Sequence, residues 1–191
     1  MKATLGRSTH LPRVLWMGAV VFLCAQEVSV ARARQEPVVG RAPQLSEKPK
    51  PCGKEHRQFD FWVGEWDVTA QGQKVATSNI SLIEEGCIVL EQYSQRDGYT
   101  GQSFNYYNPA LRKWRQVWVD GGGNISEFSG EYRDGAMRYE GVSYPLGQAK
   151  VLRRMIVFNL GHDEIRQLSY RSTDDGRTWH VNYDFLYVRK K

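Results

Sequence analysis

At 191 residues, 41% of them hydrophobic and 12% aromatic, the chain has material for one core of ordinary size and is short for two. Eighteen glycines, most of them in the second half, favour short strands and tight turns over helices. A net charge of +5 would suit a polyanionic partner, but the excess sits largely at the N-terminus.

Lys2, Arg7 and Arg13 form a positive leader, Val14 to Ala25 an apolar run, and Ala31-Arg32-Ala33 a small-x-small cleavage pattern, so residues 1–33 read as a secretory signal peptide. The alternative, an uncleaved anchor, asks for about 20 apolar residues, and this run is much shorter. Removal of residues 1–33 takes four basic side chains (Lys2, Arg7, Arg13, Arg32) and one acidic (Glu27) with it, lowering the net charge from +5 to +2. That near-neutral balance excludes nucleic acid as the expected partner and points to a periplasmic or secreted protein without a membrane span after cleavage. Residues 34–51, rich in Pro, Lys, Glu and Gln and without apolar periodicity, read as a flexible leader.

Cys24 falls in the signal, which leaves Cys52 and Cys87 as an even pair in an oxidising compartment; a disulfide is expected. The rival is a metal site, since His56 stands four residues after Cys52, but no second ligand pair has zinc-like spacing. No metal and no cofactor are expected.

From Trp66 onward strand-like runs recur about every ten residues: 66–70, 76–83, 88–95, 100–107, 113–120, 124–132, 136–143, 153–159, 165–172 and 178–188. Asp97-Gly98, Asn108-Pro109, Gly121-Gly122-Gly123, Asp134-Gly135 and Asp175-Gly176 supply the turns between them. Only residues 54–61 suggest a helix, of one or two turns. The fold class is therefore all-β: a single antiparallel meander over 52–191, and about ten such strands lose their free edges most economically by closing into a barrel.

Phe59-Asp60-Phe61-Trp62-Val63-Gly64-Glu65-Trp66 places a G-x-W between the short helical segment and the first strand. It resembles the entry motif of calycins, the lipocalin and fatty-acid-binding-protein superfamily. The resemblance implies a barrel whose closed end is plugged by Trp66, with Arg189 from the last strand packed over it. The wider pattern adds Cys52, His56-Arg57-Gln58, Gly86-Cys87, Trp114-x-Gln116-x-Trp118-x-Asp120 and Asp174-Asp175-Gly176-x-Thr178-Trp179. It resembles a group of exported bacterial domain-of-unknown-function proteins from Cys52 to the C-terminus. That likeness implies a calycin-like barrel outside the cytoplasm and brings no activity with it.

Ser172-Thr173-Asp174-Asp175-Gly176-Arg177-Thr178-Trp179 matches the Asp-box of sialidase propellers. Propellers repeat the motif blade after blade and this chain carries it once, so Asp174, Gly176 and Trp179 are read as a structural turn rather than a glycosidase signature.

No nucleophile elbow, zinc-protease helix or phosphate loop is present, and catalytic residues stay unassigned. Residues two apart share a strand face, so Trp114, Gln116, Trp118 and Asp120 line one side, with Ser103, Asn105 and Tyr107 beside them across the Asn108-Pro109 turn. Aromatic and amide groups together suit a small-ligand cavity; the same face could equally be a filled core. On the last strand Val181, Tyr183, Phe185, Tyr187 and Arg189 share a face. Tyr187 and Arg154 are candidates to meet a ligand carboxylate, as an Arg and a Tyr do in fatty-acid-binding proteins. His180 and His162 raise haem binding, since nitrobindin-type barrels use a C-terminal His, but the flanking residues match poorly. The expected function is an exported barrel that binds a small hydrophobic or amphipathic molecule without transforming it. The alternatives are an enzyme acting on a metabolite in the lumen and a structural domain of the cell envelope.

Overall fold

The computed structural model describes residues 52–191; the expected signal (1–33) and leader (34–51) lie outside the described residues. Two 3-10 turns, Lys54–Arg57 and Asp60–Trp62, precede the strands, so the expected helical segment is broken in the middle, at Gln58 and Phe59. The strands are β1 (Gly64–Ala70), β2 (Gln73–Ile83), β3 (Ile88–Gln95), β4 (Thr100–Asn108), β5 (Lys113–Asp120), β6 (Ile125–Arg133), β7 (Ala136–Tyr144), β8 (Val151–Asn159), β9 (Glu164–Ser172) and β10 (His180–Arg189). Each pairs antiparallel with its neighbour in sequence, and β1 pairs with β10 to close the barrel. The all-β meander read from the sequence is thus the fold, and closure leaves no ladder edge unpaired.

The turns carry the backbone geometry their residues permit. Asp134 and Gly135, at φ 51° and 68°, form the two-residue turn between β6 and β7 that suits a right-twisted hairpin. Among the described residues no helix is long and apolar enough to cross a membrane.

The end of the barrel beside the 3-10 turns is solidly filled. Phe59, Trp62, Trp66 and Trp114 are essentially inaccessible, with Phe59 stacked on Trp62 at 4.9 Å and edge-on to Trp114 at 5.6 Å. Truncating any of these to alanine would cost about 3–5 kcal/mol. The indole of Trp66 donates to the Trp62 carbonyl at 2.9 Å, and that of Trp114 to the Gln58 side chain at 3.0 Å, so neither buried N–H is stranded.

Arg189 lies over Trp66, its guanidinium carbon 4.2 Å from the ring centroid, and donates to the carbonyls of His162 and Val63. This explains the glycine of the G-x-W motif: Gly64 sits at φ +146°, and a Cβ there would meet the Arg189 guanidinium. The Cys52–Cys87 disulfide joins the segment before the 3-10 turns to the β2–β3 loop. Arg57 reinforces that link by donating to the Gly86 carbonyl.

Candidate functional site

Above the plug, inward-facing residues change character with height. The β4–β5 register pairs Tyr107 with Trp114, Asn105 with Gln116 and Ser103 with Trp118. The lowest pair belongs to the filled end, where Tyr107 packs against Trp114 and His56. The middle pair is wholly buried, and Trp118 is half-buried near the opposite opening.

The middle layer is a hydrogen-bonded polar floor. Its centre is Glu91 on β3, 3% exposed. Ser78 donates to its carboxyl at 3.1 Å and Ser103 at 3.0 Å, while the Tyr187 phenol oxygen lies 3.3 Å away. Asn105 in turn donates to Ser103 and to the Val89 carbonyl, and accepts from Gln116 at 2.8 Å. Burial pushes the Glu91 carboxyl up to about 7, against the pull of the hydrogen bonds from Ser103, Ser78 and Tyr187.

Tyr187 has one phenolic proton, and its shorter contact, 2.7 Å, is to Gln167 Oε1. The Gln167 amide nitrogen is turned to Met155 Sδ. The Tyr187 O–H therefore has two acceptors within reach, Gln167 Oε1 and, at 3.3 Å, Glu91 Oε1.

Over this floor lies a cavity of about 400 Å³. It opens at the end bearing the β3–β4, β5–β6 and β7–β8 loops, with Tyr99, Asn124, Pro145 and Gln148 at the rim. The barrel is therefore filled core at one end and open lumen at the other. One wall is an aromatic stack: Tyr183 on Phe185 at 4.6 Å, and Phe185 on Tyr93 at 6.5 Å. Trp118 continues it, edge-on to Tyr93 and stacked with Tyr99. Burial pushes the phenols of Tyr93 and Tyr99 up to about 12, so both stay neutral donors. The adjoining wall carries polar groups, with Ser126 and Ser143 hydrogen-bonded to each other at 2.7 Å and Arg153 reaching in from β8.

Of the residues expected to bind ligand, Gln116, Trp118 and Tyr187 line this cavity. Ser103 and Asn105 lie beneath it in the floor network, and Tyr107 and Trp114 belong to the plug. Arg154 is misplaced by the sequence reading. It is on the outer face of β8, paired with Glu140 at 3.2 Å and lying 4.1 Å over the Trp179 ring. Strand alternation turns its neighbour Arg153 inward instead, on the face of Met155 and Val157.

Val181 also leaves the inward set, being 59% exposed. A register shift between Val181 and Tyr183 inserts Asn182 and reverses the alternation there. His162 and His180 are both exposed and neither lines the cavity. Among the described residues no group of three His, Cys, Asp or Glu side chains is arranged to hold a metal ion.

Asp174 is the hub of the β9–β10 turn. It accepts from Thr178 twice, through backbone and hydroxyl, and from Ser172, which together hold its carboxyl down at about 2. The Trp179 indole donates to the Gly176 carbonyl. The motif therefore builds a turn whose polar groups are spent on one another, outside the lumen.

Glu91 and Arg153 are the residues that sequence reasoning missed. Glu91 shares its parity with Val89 and Tyr93 and Arg153 with Met155 and Val157, so both inward placements were encoded. A charge within a strand is ordinarily read as solvent-facing. No family model and no curated protein sequence matches the chain.

Proposed function

We propose that the mature domain is an exported, calycin-like binding barrel that holds a small, partly apolar molecule in its lumen without transforming it. The observation that carries this reading is the open cavity of about 400 Å³, walled by a stack of aromatic rings with serines beside it. Apolar area supplies affinity and a few hydrogen-bonding groups supply orientation. The Cys52–Cys87 disulfide accords with an oxidising compartment, and the signal-like N-terminus supplies the route. The domain, exported with its own leader and purified intact, is expected to release a small organic molecule when native mass spectrometry is followed by denaturation. Recovery of an empty protein that takes up no aromatic or amphipathic probe would refute the reading.

A second reading is favoured by one observation, the lumen-floor carboxyl of Glu91 raised to about 7, a value suited to general acid–base catalysis near neutral pH. It ranks below binding because Glu91 is occupied by Ser78, Ser103 and Tyr187. Catalysis would convert the bound molecule and stop on Glu91→Gln with uptake retained; simple binding returns the molecule unchanged from both forms.

A further inference from the structure

Three side chains able to carry a full charge near neutral pH line the lumen: Glu91, Asp120 and Arg153. Asp120, at the rim, is already consumed. It accepts from the backbone N–H groups of Gly122 and Asn124, from the Asn124 amide and from the Tyr99 phenol. Burial alone would raise its pKa, and the hydrogen bonds from Asn124, Tyr99 and Gly122 together more than reverse that, so it stays a saturated carboxylate. Glu91, on the floor, is already met by Ser78, Ser103 and Tyr187, each donating to its carboxyl.

Arg153 is different. It donates to two neutral hydroxyls, Ser143 at 3.3 Å and Ser169 at 3.0 Å, and lies over the Tyr183 ring at 5.8 Å. Its Nε is buried without a partner, and among the described residues it forms no ion pair. On the outer surface some arginines are paired, Arg154 with Glu140 and Arg166 with Asp184, and others such as Arg115 and Arg138 form no ion pair among the described residues; Arg153 is the arginine that lines the lumen. A guanidinium withdrawn from bulk water normally has a counter-anion, and here no protein group supplies one.

We infer that the lumen's ligand is an organic anion, with a carboxylate, sulfonate or phosphate on Arg153 and a planar apolar body against Tyr183, Phe185 and Trp118. The inference rests on the binding reading above and adds the ligand's charge. The two terminal nitrogens, each with a second N–H beyond the one given to Ser143 or Ser169, offer a fork that an oxyanion can meet with two oxygens. The aromatic stack beginning at Tyr183 runs away from that fork toward Tyr93, so anion and ring are served by adjoining walls.

The test uses two probes of nearly the same shape, 1-anilinonaphthalene-8-sulfonate and its uncharged parent N-phenyl-1-naphthylamine, titrated by fluorescence into the disulfide-bonded mature domain. Wild type is expected to bind the sulfonate about tenfold tighter than the neutral parent, the size of a hydrogen-bonded charge contact. Arg153→Gln is expected to erase that preference while holding the neutral probe within about twofold, and Arg153→Lys to restore part of it.

Equal affinity for both probes in wild type, or a preference that survives Arg153→Gln, overturns the anion assignment and leaves the binding reading standing. Failure of both probes to bind overturns both. The wild-type comparison needs no variant, so it decides even where Arg153→Gln fails to fold.

Discussion

The phenol of Tyr187 on β10 reaches across the barrel to within 3.3 Å of the Glu91 carboxyl on β3, and that carboxyl is held neutral up to about pH 7. The sign of the consequence follows from where the proton sits. Below pH 4.5 the carboxyl is protonated in both folded and unfolded chains, and its full contribution to stability is present. As pH rises from 4.5 to about 7 the unfolded chain gains by ionising and the folded chain does not, so stability is lost over that window. The loss is about 3 kcal/mol for a fully buried group. Glu91→Gln keeps the shape and removes the titration. Urea unfolding of the two proteins at pH 4.5 and pH 8 is expected to show wild type losing about 3 kcal/mol more than the variant; equal losses would show that Glu91 is ionised in the fold.

What was legible in the sequence was set by alternation. The runs ending in Asp-Gly and Gly-Gly turns place every strand to within a few residues, and the parity of Ser103, Asn105, Gln116 and Trp118 correctly puts them inside. Parity says nothing of height along the barrel, which is why Trp114 and Tyr107 went to the site rather than to the plug. Arg153 and Arg154 adjoin, and both faces of β8 carry apolar residues, Met155 and Val157 on one and Ile156 and Phe158 on the other. Periodicity alone therefore could not choose between the two arginines. Only the register against β9 and the packing of Trp179 settle it.

Arg154 and Arg153 should accordingly separate in function. Arg154→Ala removes the cation that covers Trp179 and is expected to lower the melting temperature modestly while leaving probe affinity within about twofold of wild type. Asp174→Ala acts on the same turn, and its effect on melting temperature should fade as pH falls from 3.8 toward 2, because the carboxylate's contribution is lost on protonation. A large loss of binding in Arg154→Ala would mean that the outer face of β8 takes part in recognition.

The disulfide spans a sequence separation of 35 residues. Closing a loop of that length in the unfolded chain stabilises the fold by about 4 kcal/mol on the chain-entropy estimate. The double variant Cys52→Ala/Cys87→Ala should lose stability of that order in denaturant titrations at pH 7. A value near zero would show that the plug aromatics and the Arg57 contact to Gly86 hold this end unaided.

At the rim, Gly101 is where the Trp118 indole lies, and any side chain there would have to displace the ring. Gly101→Ala is expected to push Trp118 toward the opening and to weaken binding several-fold, with a shift in tryptophan emission. Unchanged emission and affinity would place Trp118 outside the binding path.

Whether the lumen itself is the binding site is answered by blocking it. Ser126 on β6 lines the open cavity beside its register partner Trp118, and Ser126→Phe would fill space there while leaving the plug and floor intact. In a fluorescence titration with 1-anilinonaphthalene-8-sulfonate, wild type is expected to show saturable one-to-one binding. Ser126→Phe should show none, with a melting temperature within a few degrees of wild type. Binding that survives the block would put the site on the outer surface and contradict the lumen as the seat of function.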